Sequence, residues 1–104
     1  MKHVMICGSF DVLRVEDIEL FKGVKAFGDY LIVGLEGDVF GNCQREAAHR
    51  KAILETIRFV DEVVIYDALA ELEVLVETLQ IDEVIGSRNQ GVMVDGVKGK
   101  SEFS

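Results

Sequence analysis

His3-Val4-Met5-Ile6-Cys7, running directly into Gly8-Ser9-Phe10-Asp11-Val12-Leu13, decides how this chain is read. A short apolar run stopped by glycine has the pattern of a strand buried on both faces. The glycine lets the backbone turn sharply into the amphipathic stretch that follows. The same alternation recurs along the chain. Tyr30 to Gly34 (YLIVG), Glu62 to Tyr66 (EVVIY) and Glu83 to Gly86 (EVIG) are three further apolar runs. Helical patterns separate them. Ile18, Phe21, Val24 and Phe27 recur every three residues, Leu20 widens their stripe, and Gly28 is a C-terminal stop. Ile53, Ile57 and Val60 mark the inner face of a second helix starting near Glu46. Leu69, Leu72, Leu75, Val76 and Leu79 mark a third. Strands that alternate with helices pair in parallel through right-handed crossovers, so the fold class is α/β.

The bulk composition narrows the function. The 104 residues suit a single domain over residues 1–104, with a core large enough to fold without metals or disulfides. Eleven basic and nineteen acidic side chains give a net charge of −8. Such a surface repels phosphate backbones and anionic lipid, which argues against nucleic-acid and membrane-surface partners. It leaves room for a small anion in a local pocket. Cys7 and Cys43 form no Cys-x-x-Cys pattern, no apolar run approaches a membrane span, and Met1-Lys2-His3 does not begin a signal peptide. The expectation is a cytoplasmic chain with reduced cysteines. After Gly86 the sequence turns glycine-rich (Gly91, Gly96, Gly99); Val92 to Val94 allow one short strand, and the last dozen residues read as loosely ordered.

An open parallel sheet binds ligands beyond the carboxyl ends of its strands, where the strand order reverses. With the first strand central, Gly8 and Gly86 flank that crevice. Two glycines alone are weak evidence, because tight strand-to-helix turns use glycine in any case.

The residues between them are more specific. Gly8, Ser9, Phe10 and Asp11 with Val12 and Leu13 resemble the opening of the cytidylyltransferase motif G-x-F-D-x-x-H-x-G-H. Phe27 to Val33 resembles that family's second strand and its lead-in, and Asp38 falls where the family often has an acidic residue. His49-Arg50-Lys51 and Ile53 to Val63 are the closest match. The chain is similar, over roughly its first 86 residues, to bacterial glycerol-3-phosphate cytidylyltransferases. The resemblance implies a Rossmann-like three-layer αβα fold of the nucleotidyltransferase type, with a parallel sheet of four or five strands. It also implies transfer of a cytidylyl group from CTP to a phospho-alcohol such as glycerol 3-phosphate, with Mg²⁺ and release of pyrophosphate. A homodimer formed around the second helix is implied as well.

The motif then departs from its family. Where the family has His-x-Gly-His, this chain has Arg14-Val15-Glu16-Asp17. In the family the two histidines touch the phosphates, and the glycine leaves space for the nucleotide. Here Glu16 and Asp17 place carboxylates at a helix start, whose positive dipole end should receive the triphosphate. Arg14 returns one positive charge but cannot titrate near neutral pH. Loss of such transition-state donors costs about a hundredfold to a thousandfold each. The loop Gly37 to Ala48 is short and keeps Arg45 as its one basic candidate. Arg50 is the phosphate contact that carries over from the resemblance, with an ion pair to neighbouring acids as the competing role. Gly86-Ser87-Arg88-Asn89 lacks the family's acidic and aromatic pair, and Ser101 and Ser104 do not replace its last phosphate-binding segment.

The nucleotide-binding candidates are therefore Gly8, Ser9, Phe10, Asp11, Arg45, Arg50 and Gly86. Phe10 in the core and Asp11 capping a turn or the helix start are the competing structural roles. No metal ligands stand out, and Mg²⁺ with CTP is expected only of an active enzyme. The leading expectation is a domain that has lost catalysis and serves in binding, assembly or regulation. The alternative is an active nucleotidyltransferase whose site is rebuilt from Arg14, Arg45 and Arg50.

Overall fold

The computed structural model describes residues 1–41 and 43–86. The expectations placed on Val92 to Val94, on Ser87-Arg88-Asn89 and on the C-terminal tail lie outside these residues. The elements are β1 (His3–Gly8), α1 (Val15–Ala26), β2 (Tyr30–Glu36), a short 3-10 turn (Asp38–Phe40), α2 (Ala47–Leu54), β3 (Glu62–Tyr66), α3 (Leu69–Thr78) and β4 (Glu83–Gly86). All pairs are parallel and the strand order is β3-β2-β1-β4. This is the α/β arrangement expected, with β1 interior. Cys7 pairs with both Gly34 and Gly86, which puts the reversal of strand order between β1 and β4.

The direction of each crossover sorts the helices onto two faces. β1, β2 and β3 advance one way, so right-handed crossovers put α1 and α2 on the same side. The connection from β3 to β4 runs back across the sheet and puts α3 on the other. The two core clusters follow this division. Val4, Ile6, Leu31, Val33 and Val63 pack with Phe21 and Val24 of α1 and Leu54 of α2. Met5, Cys7, Ile32 and Tyr66 pack with Leu72 of α3. Successive strand residues alternate between the faces, which is why every strand reads as continuously apolar.

Several sequence expectations are corrected. Ile18 and Phe27 are 38% and 85% exposed, so α1 is held by Phe21, Val24 and the half-buried Leu20. A strict three-residue repeat turns about 300° per step and drifts off a helix face, so residues nine apart point in opposite directions. α2 ends at Leu54, and Ile57 and Val60 pack on the core from the turns beyond it. Ile53 is 40% exposed; Ala47, Arg50 and Leu54 form the buried face instead. Leu69 is 37% exposed at the start of α3. β1 and β2 run on to Gly8 and Glu36.

The helix ends are closed as the chemistry requires. Gly28 takes a left-handed φ of 79° after α1, and its amide donates to the Lys25 carbonyl at 2.9 Å. At the amino end of the sheet, Asp61 Oδ2 accepts the Leu31 amide at 2.8 Å and the Lys25 ammonium. His3, isolated in the sequence, meets the Leu79 carbonyl with Nδ1 at 2.9 Å.

Candidate functional site

The loops that leave the carboxyl ends of β1 and β2 converge, and one side chain joins them. Arg50 lies on the buried face of α2 and is only 1% exposed. Its Nη1 donates to the carbonyls of Ser9 at 2.7 Å and Glu36 at 2.8 Å. Its Nε donates to the Arg45 carbonyl at 2.9 Å. Nη2 lies 3.3 Å from Oδ1 of Asp38. A rigid planar fork of donors suits this task, since each proton has a fixed direction. Both roles weighed for Arg50 touch this picture: it has an acidic neighbour, yet most of its bonds go to backbone carbonyls.

Asp38 and Asp11 complete the join. Asp38 Oδ1 accepts the amide of Ala47, the first residue of α2, at 2.7 Å. It thereby caps the helix from nine residues upstream. Asp11 Oδ1 accepts the Arg45 amide at 3.0 Å, and Arg45 Nη1 donates to the Asp11 carbonyl at 2.6 Å. Asp11 thus ties down the second loop, where the sequence suggested a cap on a turn or on the start of α1. The bond from the Arg45 amide holds its carboxyl below the usual carboxylate range.

Phe10, between Ser9 and Asp11, takes a left-handed φ of 49°, which costs a non-glycine residue about 1–3 kcal/mol. Its ring is 2% exposed and lies 5.7 Å from that of Phe21, so burial offsets the strain.

The start of α1 is closed as well. Arg14 is the exposed N-cap residue, and its amide donates to Asp17 Oδ2 at 3.0 Å. Asp17 is 5% exposed. A carboxylate at the third helical position reaching back to the N-cap amide is half of a capping box. Glu16 is exposed beside it. The helix end that faces the crevice therefore carries two carboxylates, one spent on the helix's own donor.

Glu36, Cys7 and Tyr66 lie at the carboxyl ends of β2, β1 and β3 and are each 0% exposed; Cys7 and Tyr66 belong to the core on the α3 face. Burial first, and then the Glu36 carboxylate, push the Cys7 thiol up to about 12, so it is no thiolate nucleophile at neutral pH. Burial also raises the Tyr66 phenol, whose hydroxyl has no hydrogen-bond partner among the described residues. Glu36 was hidden in the sequence, because the apolar run of its strand stops at Gly34. Cys43 is half-buried, its thiol 3.9 Å from the Ser9 carbonyl. Among the described residues no group of three or more His, Cys, Asp or Glu side chains is placed to hold a metal ion. No helix among them is long and apolar enough to cross a membrane.

The structure brings Gly8, Ser9, Phe10, Asp11, Arg45 and Arg50 together at the ends of β1 and β2. Gly86 closes the crevice from β4. A glycerol-3-phosphate cytidylyltransferase of Staphylococcus aureus is 33% identical over 107 residues, covering 98% of this chain and 81% of that protein. This chain belongs to the cytidylyltransferase family. The Bacillus subtilis glycerol-3-phosphate cytidylyltransferase is 45% identical over 69 residues, covering 62% of this chain and 54% of the Bacillus protein, so the match spans about half the length of that relative. An ethanolamine-phosphate cytidylyltransferase of Dictyostelium discoideum is 30% identical over 99 residues, covering 88% of this chain and 28% of its own length. Among solved structures, the lipopolysaccharide core biosynthesis protein of Thermoplasma volcanium superposes with a TM-score of 0.75, covering 89% of this chain and 80% of that one. At 22% identity that likeness concerns the fold. A scan of protein-family models returns no match.

Two outcomes test this geometry. Arg50→Ala removes this donor from two buried carbonyls and one part-buried carbonyl, at about 1–3 kcal/mol for each buried bond, so urea unfolding should show a loss of about 2 kcal/mol or more. Arg50→Lys should recover little of it, because a lysine offers no planar fork. An arginine serving only an external phosphate would change stability by about 0.5 kcal/mol or less. The second concerns acid. A carboxyl lowered in the folded state adds stability above its unfolded value of 3.8, which is lost as pH falls through the folded value. Asp11→Asn keeps an acceptor oxygen, so its melting temperature should lie below wild type at neutral pH and converge with it below pH 3.8.

Proposed function

We propose that this chain is a cytidylyltransferase-fold module that has lost catalysis and serves in binding, assembly or regulation. One observation carries the reading. The buried Asp17 carboxylate accepts the Arg14 amide at 3.0 Å, at the helix start where the family's motif would meet the triphosphate. A nucleotide there faces like charge from Asp17 and Glu16, and it finds one helix donor already taken. This donor set suits Mg²⁺–CTP poorly: the carboxylates repel the phosphates, and Asp17 is turned onto its own helix.

The alternative is an active enzyme that transfers CMP from CTP to a phospho-alcohol such as glycerol 3-phosphate, using Arg14, Arg45 and Arg50. It has weaker support, because Arg50 directs Nε and Nη1, and Arg45 directs Nη1, at the loop backbone. Arg14 is exposed at the start of α1.

The test is pyrophosphate release from Mg²⁺–CTP with glycerol 3-phosphate, run beside thermal unfolding with Mg²⁺–CTP and an Mg²⁺–ATP control. No turnover and no CTP-specific shift is the expected result. A ligand at about a hundred times its Kd adds about 2.7 kcal/mol, so retained binding would raise the melting temperature by several degrees. Turnover abolished by Arg45→Ala would overturn the proposal in favour of the rebuilt site.

The same reading includes a homodimer, supported by the stretch from His49 to Val63 that builds α2 and leads into β3. Sedimentation velocity should give the mass of two chains at micromolar concentration. A single-chain mass there removes the dimer from the proposal.

A further inference from the structure

The net charge of the chain is concentrated in one stretch. Residues 59–86 hold eight acidic side chains and no lysine or arginine, so they carry −8; the rest of the chain has eleven of each sign and sums to zero. β3, α3 and β4 all lie in this stretch. The pairs Lys25–Asp61 and Lys2–Glu83 compensate two of its charges at the amino end of the sheet. α3 holds three others, Glu71, Glu73 and Glu77, all exposed.

An apolar groove lies inside this acidic region. Ile65 of β3 lines it with Ala70, Glu71, Val74 and Leu75 of α3, and its volume is about 410 Å³. The helix geometry accounts for its make-up. Leu72 is fully buried against the sheet, and Val74 lies about 200° round the helix axis from it. Val74 is accordingly 61% exposed. Ala70, Glu73, Val74 and Glu77 follow the i, i+3, i+4, i+7 spacing of one helix face. That outward face is small and apolar along its middle and acidic beside it.

We propose that this groove docks a lysine- or arginine-rich segment of a partner protein, apolar on one side. Two features specify that chemistry. The groove floor offers aliphatic surface, and the negative field of the chain originates in the same unit. A basic amphipathic helix answers both. Its apolar residues sit on Ile65, Ala70 and Val74, while its lysine stems cover apolar surface and their ammonium groups reach the α3 glutamates. Charge of this sign steers the encounter, and the apolar contact sets how long it lasts. The proposal does not rest on the loss of catalysis. The groove is on the β3 side of the sheet, whereas the nucleotide crevice lies between β1 and β4.

The test is an NMR titration of the full, isotope-labelled chain, without nucleotide. The probe is a synthetic helical peptide with leucines on one face and lysines on the other. The amides of Ala70, Val74 and Leu75 should shift, and the same peptide with glutamate in place of lysine should leave them unmoved. Val74→Asp separates docking in the groove from attraction by charge alone. It adds a carboxylate at an exposed position, so charge alone would hold the peptide as tightly or more tightly. Docking predicts about tenfold weaker binding, because the new carboxylate is desolvated against leucine. Glu73→Gln with Glu77→Gln leaves the floor intact and should weaken binding about fivefold, with a shallower salt dependence. No shift at these amides up to about 1 mM peptide overturns the proposal. So does binding that Val74→Asp leaves unchanged or strengthens. Shifts at the same amides that grow with protein concentration, with no peptide present, also overturn it and assign the groove to a second copy.

Discussion

The guanidinium of Arg50 joins three segments that are distant in sequence: the turn after β1 through Ser9, the end of β2 through Glu36, and the loop before α2 through Arg45. All three are main-chain carbonyls at the carboxyl edge of the sheet. Buried backbone groups must find partners, and a charged donor offers stronger bonds than a neutral one. With the arginine in place, the carboxyl edge of the sheet can close over itself. The strained backbone of Phe10 and the position of Asp38 at the start of α2 depend on that closure.

The same logic runs through the whole carboxyl edge. Asp38 caps α2, Asp11 holds the Arg45 amide, and Asp17 holds the Arg14 amide. Each takes up a backbone donor of the kind that phosphate-binding folds direct at their ligand. An edge built this way gains rigidity from internal bonds and offers fewer open donors to an anion. The net charge of −8 adds to that discrimination through its long-range field. The family membership and a helix start that carries carboxylates are thus compatible. The sheet and its crossovers depend on apolar packing, and Arg14 to Asp17 are not among the residues of the two core clusters.

Much of this was legible in the order of the residues. The four apolar runs, the stop at Gly28 and the core place of Phe10 follow from period, turn chemistry and size. Other positions were hidden for identifiable reasons. Ile18, Phe27 and Ile53 have the right residue type but the wrong angle about their helix axes, and hydrophobicity alone does not report angle. The buried face of α2 has an arginine at its centre, so a pattern sought in apolar residues shifted by one, onto Ile53 and away from Leu54. Glu36 passed for a loop residue because a charge at the end of a strand ordinarily marks exposure.

The sequence by itself determined the fold class, the parallel order of elements and the family, because each rests on local periodicity or on a run of matched residues. The resemblance to the family motif sets Arg14, Val15, Glu16 and Asp17 against His-x-Gly-His. Only the tertiary structure decided what the retained polar residues bond to. Arg50, Asp11 and Asp38 find partners as far as 41 residues away along the chain, and such distances are set by how the crossovers bring strand ends together. A side chain's bonding follows from that geometry, and its place in the sequence does not contain it.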